Sequence, residues 1–447
     1  MACEGLDREG AAVGQVRFGE DLVCLHVAGA LPGEQVRATV AHVSPHPNQQ
    51  GRNAWANLDQ VLRAAPERVA PPCPVHDRCG GCPLMSWDYG AQVAWKRSLL
   101  VQALAAQEEL AKVPVAACVA SPRSLGYRGN AKYVFGRDRL GELVLGAYAP
   151  RSHEIVDMGN CPIGEPALAE VATALLPILV AHDVEPFDET RRTGLLRYVI
   201  LRANAEDKVL VALVTGRQAW PQAETVASEL AATCPAVWGI VHNTNPSSGN
   251  ALFGEDERLL FGASAIEDDF GPARVRLVSR SFAQANRLVA GQAYSDIVAA
   301  AAKLGTMDRA VDLYAGAGGI ALSLAPLSRE VVAIEENPAA AATARAFLGE
   351  NSRVRFVTGD VAEHLVGLGA ADLVVLNPPR KGCAPAVLKA VAQLRPRLIA
   401  YLSCNPETLA RDLAVLAHLG FRTTGVTPYD MLAHTPHVEA LALMVNT

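Results

Sequence analysis

Apolar and polar positions alternate along residues 13–43, with Val23, Leu25 and Val27, then Val36, Ala38 and Val40, on the apolar side. Successive side chains of a strand point to opposite faces, so this period of two predicts short, half-buried strands. Gly19, Gly29 and Leu31-Pro32-Gly33-Glu34 punctuate them, and a small β-barrel is expected. Residues 44–57, rich in Pro, Asn and Gln, have the composition of a loop or linker. From Tyr127 to about Gly271 the pattern is mixed, with strands at 195–201, 209–214 and 237–241 and a helix at 224–232. A segment from Arg280 to Asn286 then leads into a helical stretch ending near Lys303, after which strands and helices alternate to the end. That alternation predicts a doubly wound, mostly parallel α/β sheet. The expected division is a barrel at 1–65, a central α/β domain at 66–280 and a Rossmann-like domain at 281–447.

Length and composition agree with several packed domains: the chain has 447 residues, half of them hydrophobic. No run of about 18 apolar residues occurs and the start lacks a basic-then-apolar pattern, so a cytoplasmic protein without a membrane span is expected. The formal charge of -6 argues against a strongly nucleic-acid-binding surface overall, because phosphate binding draws on Lys and Arg. Two local runs offset it. One holds Arg123, Arg128, Lys132, Arg137, Arg139 and Arg151; the other holds Arg191, Arg192, Arg197 and Arg202. No internal repeat or low-complexity tract is present.

The C-terminal third carries the candidate chemistry. A strand at 310–313 leads into Asp312-Leu313-Tyr314-Ala315-Gly316-Ala317-Gly318-Gly319, whose glycines let a ligand approach the backbone. The next strand, 331–334, ends at Glu335, suited to both hydroxyls of a ribose. Asp360 follows the third strand, suited to an adenine amino group, and Asn377-Pro378-Pro379-Arg380 closes the fourth. A ribose and an adenine without a pyrophosphate point to S-adenosylmethionine rather than a nicotinamide cofactor. The fifth strand, Ala400-Tyr401-Leu402-Ser403, presents Cys404 at its exit before Asn405-Pro406. Thiolate is a strong nucleophile, and open α/β sheets bind ligands at the carboxyl ends of their strands. Upstream, Cys73 and Cys79-Gly80-Gly81-Cys82 cluster among prolines, which suggests thiolate ligands for a metal. Cys161 is the candidate fourth ligand. The spacing lacks the paired C-x2-C knuckles of a zinc ribbon.

Five motifs occur in order: Ser281-Phe282-Ala283-Gln284-Ala285-Asn286, the glycine turn after Asp312, Pro378-Pro379-Arg380, Ser403-Cys404-Asn405-Pro406, and His434-Thr435-Pro436-His437-Val438-Glu439. Together they resemble the bacterial RNA (uracil-C5) methyltransferases, over nearly the whole chain. The resemblance implies that Cys404 is the nucleophile and Glu439 the proton-abstracting base. It also implies that Gln284, Tyr314, Glu335, Asp360 and Asn377, with Gly316 and Gly318 of the turn, bind S-adenosylmethionine. Residues 1–65 resemble a TRAM domain, an OB-like barrel, and the cysteine set resembles the family's [4Fe-4S] ligands. The implied partner is RNA, 23S rRNA ahead of tRNA, met by a monomer. Two positions depart from the family pattern: Asn377 stands where Asp is usual and Gly319 where Asn is usual.

The resemblance implies a mechanism in which Cys404 adds to C6 of a flipped-out uridine, C5 takes the methyl group and Glu439 removes the C5 proton. His434 and His437 are expected to shape a loop rather than bind metal, and Cys383 to be incidental. Two other functions fit parts of the sequence. Asn377-Pro378-Pro379 also occurs in methyltransferases acting on exocyclic amino groups, which need no cysteine. An RNA-binding protein without turnover could use the barrel and cysteine region alone.

Overall fold

The structure is a computed structural model that describes residues 1–18, 21–46, 52–249, 251–348 and 353–447. The chain divides into two compact units, Met1–Lys96 with Leu432–His437, and Arg97–Met431 with Val438–Thr447.

In the first unit the alternating segments form a five-stranded sheet with strands Gly5–Leu6, Ala12–Phe18, Asp21–Val27, Gln35–Val43 and Arg52–Arg63. The inward positions Val23, Leu25, Val27 and Val36 are buried together with Ala54 and Ala56. Ala38 and Val40 are partly buried against that core. The last strand corrects the reading of 44–57 as linker: Arg52–Asn57 pairs with both Asp21–Val27 and Gln35–Val43. Backbone hydrogen bonding to two neighbours there overrides a polar composition that disfavours strands. Gly19 and residues 47–51 lie outside the described residues.

The second unit contains two seven-stranded sheets among its described residues. One runs through residues 130–262, with Leu196–Ala203 and Val209–Thr215 near its centre. Both of these strands are buried almost throughout, as their unbroken apolar runs require. Helices Pro166–Ala181 and Ala223–Thr233 cover one face. The expected helix at 224–232 and strands at 195–201, 209–214 and 237–241 agree with these elements to within a few residues.

The other sheet is the α/β sheet expected at the C-terminus. Its strands are β1 (Met307–Leu313), β2 (Ser328–Glu335), β3 (Val354–Thr358), β4 (Leu373–Leu376), β5 (Leu398–Ser403), β6 (Phe421–Tyr429) and β7 (Glu439–Asn446). Their order across the sheet is β3-β2-β1-β4-β5-β7-β6. The first five are parallel, and β7 runs antiparallel between β5 and β6. Strand order therefore reverses between β1 and β4, and ligands of open α/β sheets bind at such a switch point, outside the carboxyl ends of the strands. Every residue of β4 and β5 is buried, because helices pack on both faces.

The helix Arg287–Ala302 joins the two sheets' chain segments, and its first residue is held by a buried ion cluster. Arg287 pairs with Glu165 and, at 3.0 Å, with Asp268. It also donates to the carbonyl of Ala203 at 2.6 Å. Burial pushes the two carboxyls up despite the guanidinium, which shows how much both depend on it. A cation at a helix N-terminus is itself unfavourable, so the two acids must hold it there. Replacing Arg287 by Met leaves two buried carboxylates without their partner. It is expected to destabilise the protein by about 3–5 kcal/mol, read as a lowered urea midpoint of unfolding with an unchanged slope.

Candidate active site

The site is set by sheet register. Ser403, the last residue of β5, lies opposite Ala440 of β7. Because these strands are antiparallel, the next residue along each, Cys404 and Glu439, emerges at the same sheet end. Helix Pro406–His418 begins just beyond, and Asn405 caps it by accepting from the amides of Glu407 and Thr408. The Asn405 amide in turn donates to Ser403 Oγ at 3.2 Å, so the short turn that carries the thiol is bonded on both sides. A Pro at the first helical position completes the cap, as its fixed φ allows.

Both groups are partly buried. Burial pushes the Cys404 thiol up, Glu439's charge adds to the rise, and Arg380, which hydrogen-bonds the thiol, opposes it. Burial pushes Glu439 up to about 8, again against Arg380. Arg380 thus acts on both groups from the Pro378-Pro379-Arg380 turn after β4. The sequence carried this residue inside a motif but gave it no separate role.

Across the switch point lies the glycine turn. Tyr314, Gly316 and Gly318 all have left-handed backbones, with φ of 62°, 56° and 82°. A tyrosine in that region is strained, and such strain gathers at functional sites. Gly316 donates its amide to Glu335 Oε2 at 2.7 Å, and Asn337 donates to Oε1 at 2.7 Å. Glu335 thus closes the turn from the end of β2, with lone pairs still open to a ligand. Asp312 is fully buried, and its Oδ2 accepts from the Ala321 amide at 2.9 Å while Oδ1 has no partner. Burial pushes this carboxyl up to about 7, against that amide and with help from Glu335.

Asp360 caps the short helix Val361–Leu365 by accepting from Glu363 at 3.1 Å, so it has a structural task at the end of β3. Asn377 follows β4, and its amide donates to the Leu313 carbonyl at 3.3 Å. Gly319 opens the helix Gly319–Leu324, and a Cβ there would stand 2.9 Å from Cε2 of Tyr294. Gln284 lies on the segment before Arg287 and lines a small cavity with Asn130, Arg202, Asp268 and Arg287; no glycine-turn residue takes part in it.

The cysteine expectation fares differently. Cys73, Cys79 and Cys82 belong to the first unit and Cys161 to the second, all four partly buried. Among the described residues no group of three or more His, Cys, Asp or Glu side chains is placed to hold a metal ion. Gly80 does adopt the left-handed backbone (φ 66°) that a sharp loop between Cys79 and Cys82 needs. No catalytic step is routed through these thiols. His434 shapes its loop: Gln92 accepts from its amide at 3.0 Å and meets its Nδ1 at 3.2 Å.

The basic runs also divide. Arg123, Arg128, Lys132, Arg137, Arg139, Arg151, Arg191 and Arg192 are exposed. Arg197 and Arg202 are buried, so they are not part of a solvated face. Arg197 pairs with Glu189 at 2.9 Å, and burial pulls Arg202 down to about 10. Phe282, next to Gln284's segment, is 71% exposed, an unusual state for a large aromatic residue.

A family model described as tRNA (Uracil-5-)-methyltransferase matches residues 368–446, and one described as Methyltransferase small domain matches residues 295–395. An uncharacterized RNA methyltransferase of Geobacter sulfurreducens is 37% identical, over 100% of this chain and 89% of the relative. One of Halalkalibacterium halodurans is 33% identical, over 99% of this chain and 96% of the relative. Among solved structures, the tRNA (uracil-54, C5)-methyltransferase of Pyrococcus abyssi, in complex with S-adenosyl-L-homocysteine, is similar with a TM-score of 0.75 and 25% identity. That similarity covers 100% of both chains.

Arg380 lowers the proton affinity of Cys404, so its removal must raise it. In Arg380→Met the pH midpoint for iodoacetamide labelling of Cys404, followed by mass spectrometry of its peptide, is expected to move up. A midpoint that stays put or falls would mean that the guanidinium does not act on the thiol.

Proposed function

The chain belongs to the RNA (uracil-C5) methyltransferase family, and from that premise we propose that it methylates C5 of a uridine in RNA with Cys404 as nucleophile and Glu439 as base. The observation that carries the reading is the emergence of Cys404 and Glu439 at one sheet end, after the last residue of β5 and at the start of β7, under one guanidinium. S-adenosylmethionine supplies an electrophilic methyl group when bound, and the proposed contacts to it are Gln284, Tyr314, Gly316, Gly318, Glu335, Asp360 and Asn377.

C5 of uracil is too weak a nucleophile to take a methyl group unaided. The Cys404 thiolate forms a bond to C6, and the displaced electron pair moves onto C5 and O4. C5 then bonds to the methyl carbon as the methyl–sulfur bond breaks. Glu439 takes the C5 proton, the C5–C6 double bond re-forms, and the C6–sulfur bond breaks to return the thiolate. A carboxyl near 8 suits this step, since a base is most effective with a proton affinity close to the working pH. It must first be ionised, so the elimination step should accelerate as pH rises through about 8.

Uridine inside RNA structure has to leave its stack before a thiol can reach C6. Exposed Phe282 offers a ring face to an unstacked base, and the exposed Arg and Lys run of 123–151 offers charge to phosphates. The proposed RNA is 23S rRNA, supported by the likeness of residues 1–65 to a TRAM barrel and of the cysteines to cluster ligands. A second reading, tRNA, is favoured by the Pyrococcus abyssi neighbour and by the name of the matching family model. The [4Fe-4S] cluster on Cys73, Cys79, Cys82 and Cys161 belongs to the proposal as a cofactor without a catalytic step. Iron and acid-labile sulfide in protein purified without oxygen would support it.

The decisive test uses three proteins and two transcripts. Wild type with S-adenosylmethionine should convert uridine to 5-methyluridine in either the 23S rRNA or the tRNA transcript, and the preferred one identifies the substrate. Glu439→Gln should accumulate a covalent RNA adduct that carries the methyl group, and Cys404→Ala should form none and lose activity by at least about 10³-fold. Methylation that survives in Cys404→Ala would instead favour transfer to an exocyclic amine through Asn377-Pro378-Pro379.

A further inference from the structure

Residues 430–438 join β6 to β7, a connection longer than the roughly two to five residues usual for a hairpin. Tyr429 and Glu439, at its two ends, face each other as the first pair of the β6–β7 ladder, and the pairing of β7 with β5 begins only at Ala440. The ladder therefore holds Glu439 from one side, and its other side is the loop. The middle of that loop, Leu432–His437, belongs to the first unit, and Val438 and Glu439 follow it directly. His434 there has a left-handed backbone (φ 66°), a conformation that a residue with a side chain holds only where its surroundings impose it.

One buried side chain imposes it. Gln92, on helix Tyr89–Ala105, is fully buried and bonds in opposite directions. Its Nε2 donates to the carbonyls of Leu84 at 2.9 Å and Trp87 at 2.7 Å, and its Oε1 accepts from the His434 amide at 3.0 Å. The two carbonyls use both amide hydrogens, so the group cannot turn over: reversed, its oxygen would face two carbonyls and its nitrogen an N–H. The Leu84 amide donates to the His434 carbonyl at 3.0 Å, so both backbone polar groups of His434 are bonded to the segment 84–92. Lys96, fully buried on the same helix, donates from Nζ to the Leu432 carbonyl at 2.9 Å. We propose that Gln92 is a positioning residue for the base: by fixing His434 it holds the loop, so that the first pair of the β6–β7 ladder stays closed and Glu439 stays at the sheet end where Cys404 emerges. Gln92 and His434 stand 342 residues apart, so no local pattern in the chain announces the contact.

This inference rests on reading Glu439 as the base. It is tested in the full chain, with the transcript that wild type methylates and S-adenosylmethionine labelled in its methyl group. Two quantities are read on each protein: the rate of methyl transfer in a single turnover, and the share of RNA held as a methylated covalent adduct that survives denaturation. Gln92→Met leaves the His434 amide without its acceptor. It should slow proton removal about 10–100-fold, as a small misplacement of a reacting group does, while methyl transfer stays within about threefold of wild type. The methylated adduct should therefore accumulate, as in Glu439→Gln. A Gln92→Met protein that releases its product as wild type does, or that loses methyl transfer and release together without an adduct, would overturn the proposal. Should Gln92→Met not fold, Gln92→Asn, which keeps the amide but draws it back by one methylene, decides alone, with the same accumulation expected. A Glu439→Gln protein that forms no adduct would instead sink the reading of Glu439 as base, a separate result.

Discussion

One guanidinium opposes burial at two places. Cys404 and Glu439 both sit where loss of water favours their neutral forms, and Arg380 is the cation that works against that loss at each. Without it the thiol would resist ionisation further and the carboxyl would hold its proton more tightly. Full solvation would ionise both more readily, but a hydrated thiolate is less reactive and a hydrated carboxylate is a weaker base. Arg380 thus limits how far burial raises both groups without cancelling the rise.

The sheet explains how these groups come together. In a purely parallel sheet the carboxyl end of β5 would meet only other carboxyl ends, each followed by its own loop. β7 runs the other way, so its first residue, Glu439, arrives at the edge where β5 ends. The antiparallel strand beside β5 therefore carries the proposed base at its start, where the ladder leaves it little freedom to drift. On the other side of the switch point, β1 and β2 end in the glycine turn and Glu335, bonded to one another through the Gly316 amide. Two groups of side chains are thus set at one end of the sheet, the glycine turn with Glu335 and the Cys404 thiol with Glu439.

Much of this was legible in the chain because its signals are local. The buried runs of β4 and β5, the glycine turn and the thiol before Asn405-Pro406 each specify their own conformation within a few residues. What stayed hidden depends on partners far away in sequence. Arg197 and Arg202 have the composition of a surface patch, yet the first is paired with Glu189 and the second is enclosed beside Ser281. Residues 52–57 have a linker's composition but are enlisted by two strands already in place. Leu432–His437 returns to the first unit between two segments of the second, which no period in the sequence announces.

The two departures from the family pattern differ in what they cost. At Gly319 the missing side chain follows from packing: Tyr294, buried on helix Arg287–Ala302, brings its ring so close that a Cβ would lie 2.9 Å from Cε2 and 3.6 Å from the hydroxyl oxygen. Any larger residue would have to displace a buried ring, so the space has been reassigned rather than vacated. Asn377 is held differently, through its backbone, by a hydrogen bond to the Leu313 carbonyl that an aspartate could form equally well. That hydrogen bond does not require an amide side chain, and relative to an aspartate the side chain carries one negative charge fewer at the end of β4. Burial drives Asp312 up to about 7, with Glu335 adding to the rise, and drives Glu439 up to about 8. A further carboxylate at the end of β4 would push both higher wherever its field reached them, and the neutral amide spares them that repulsion.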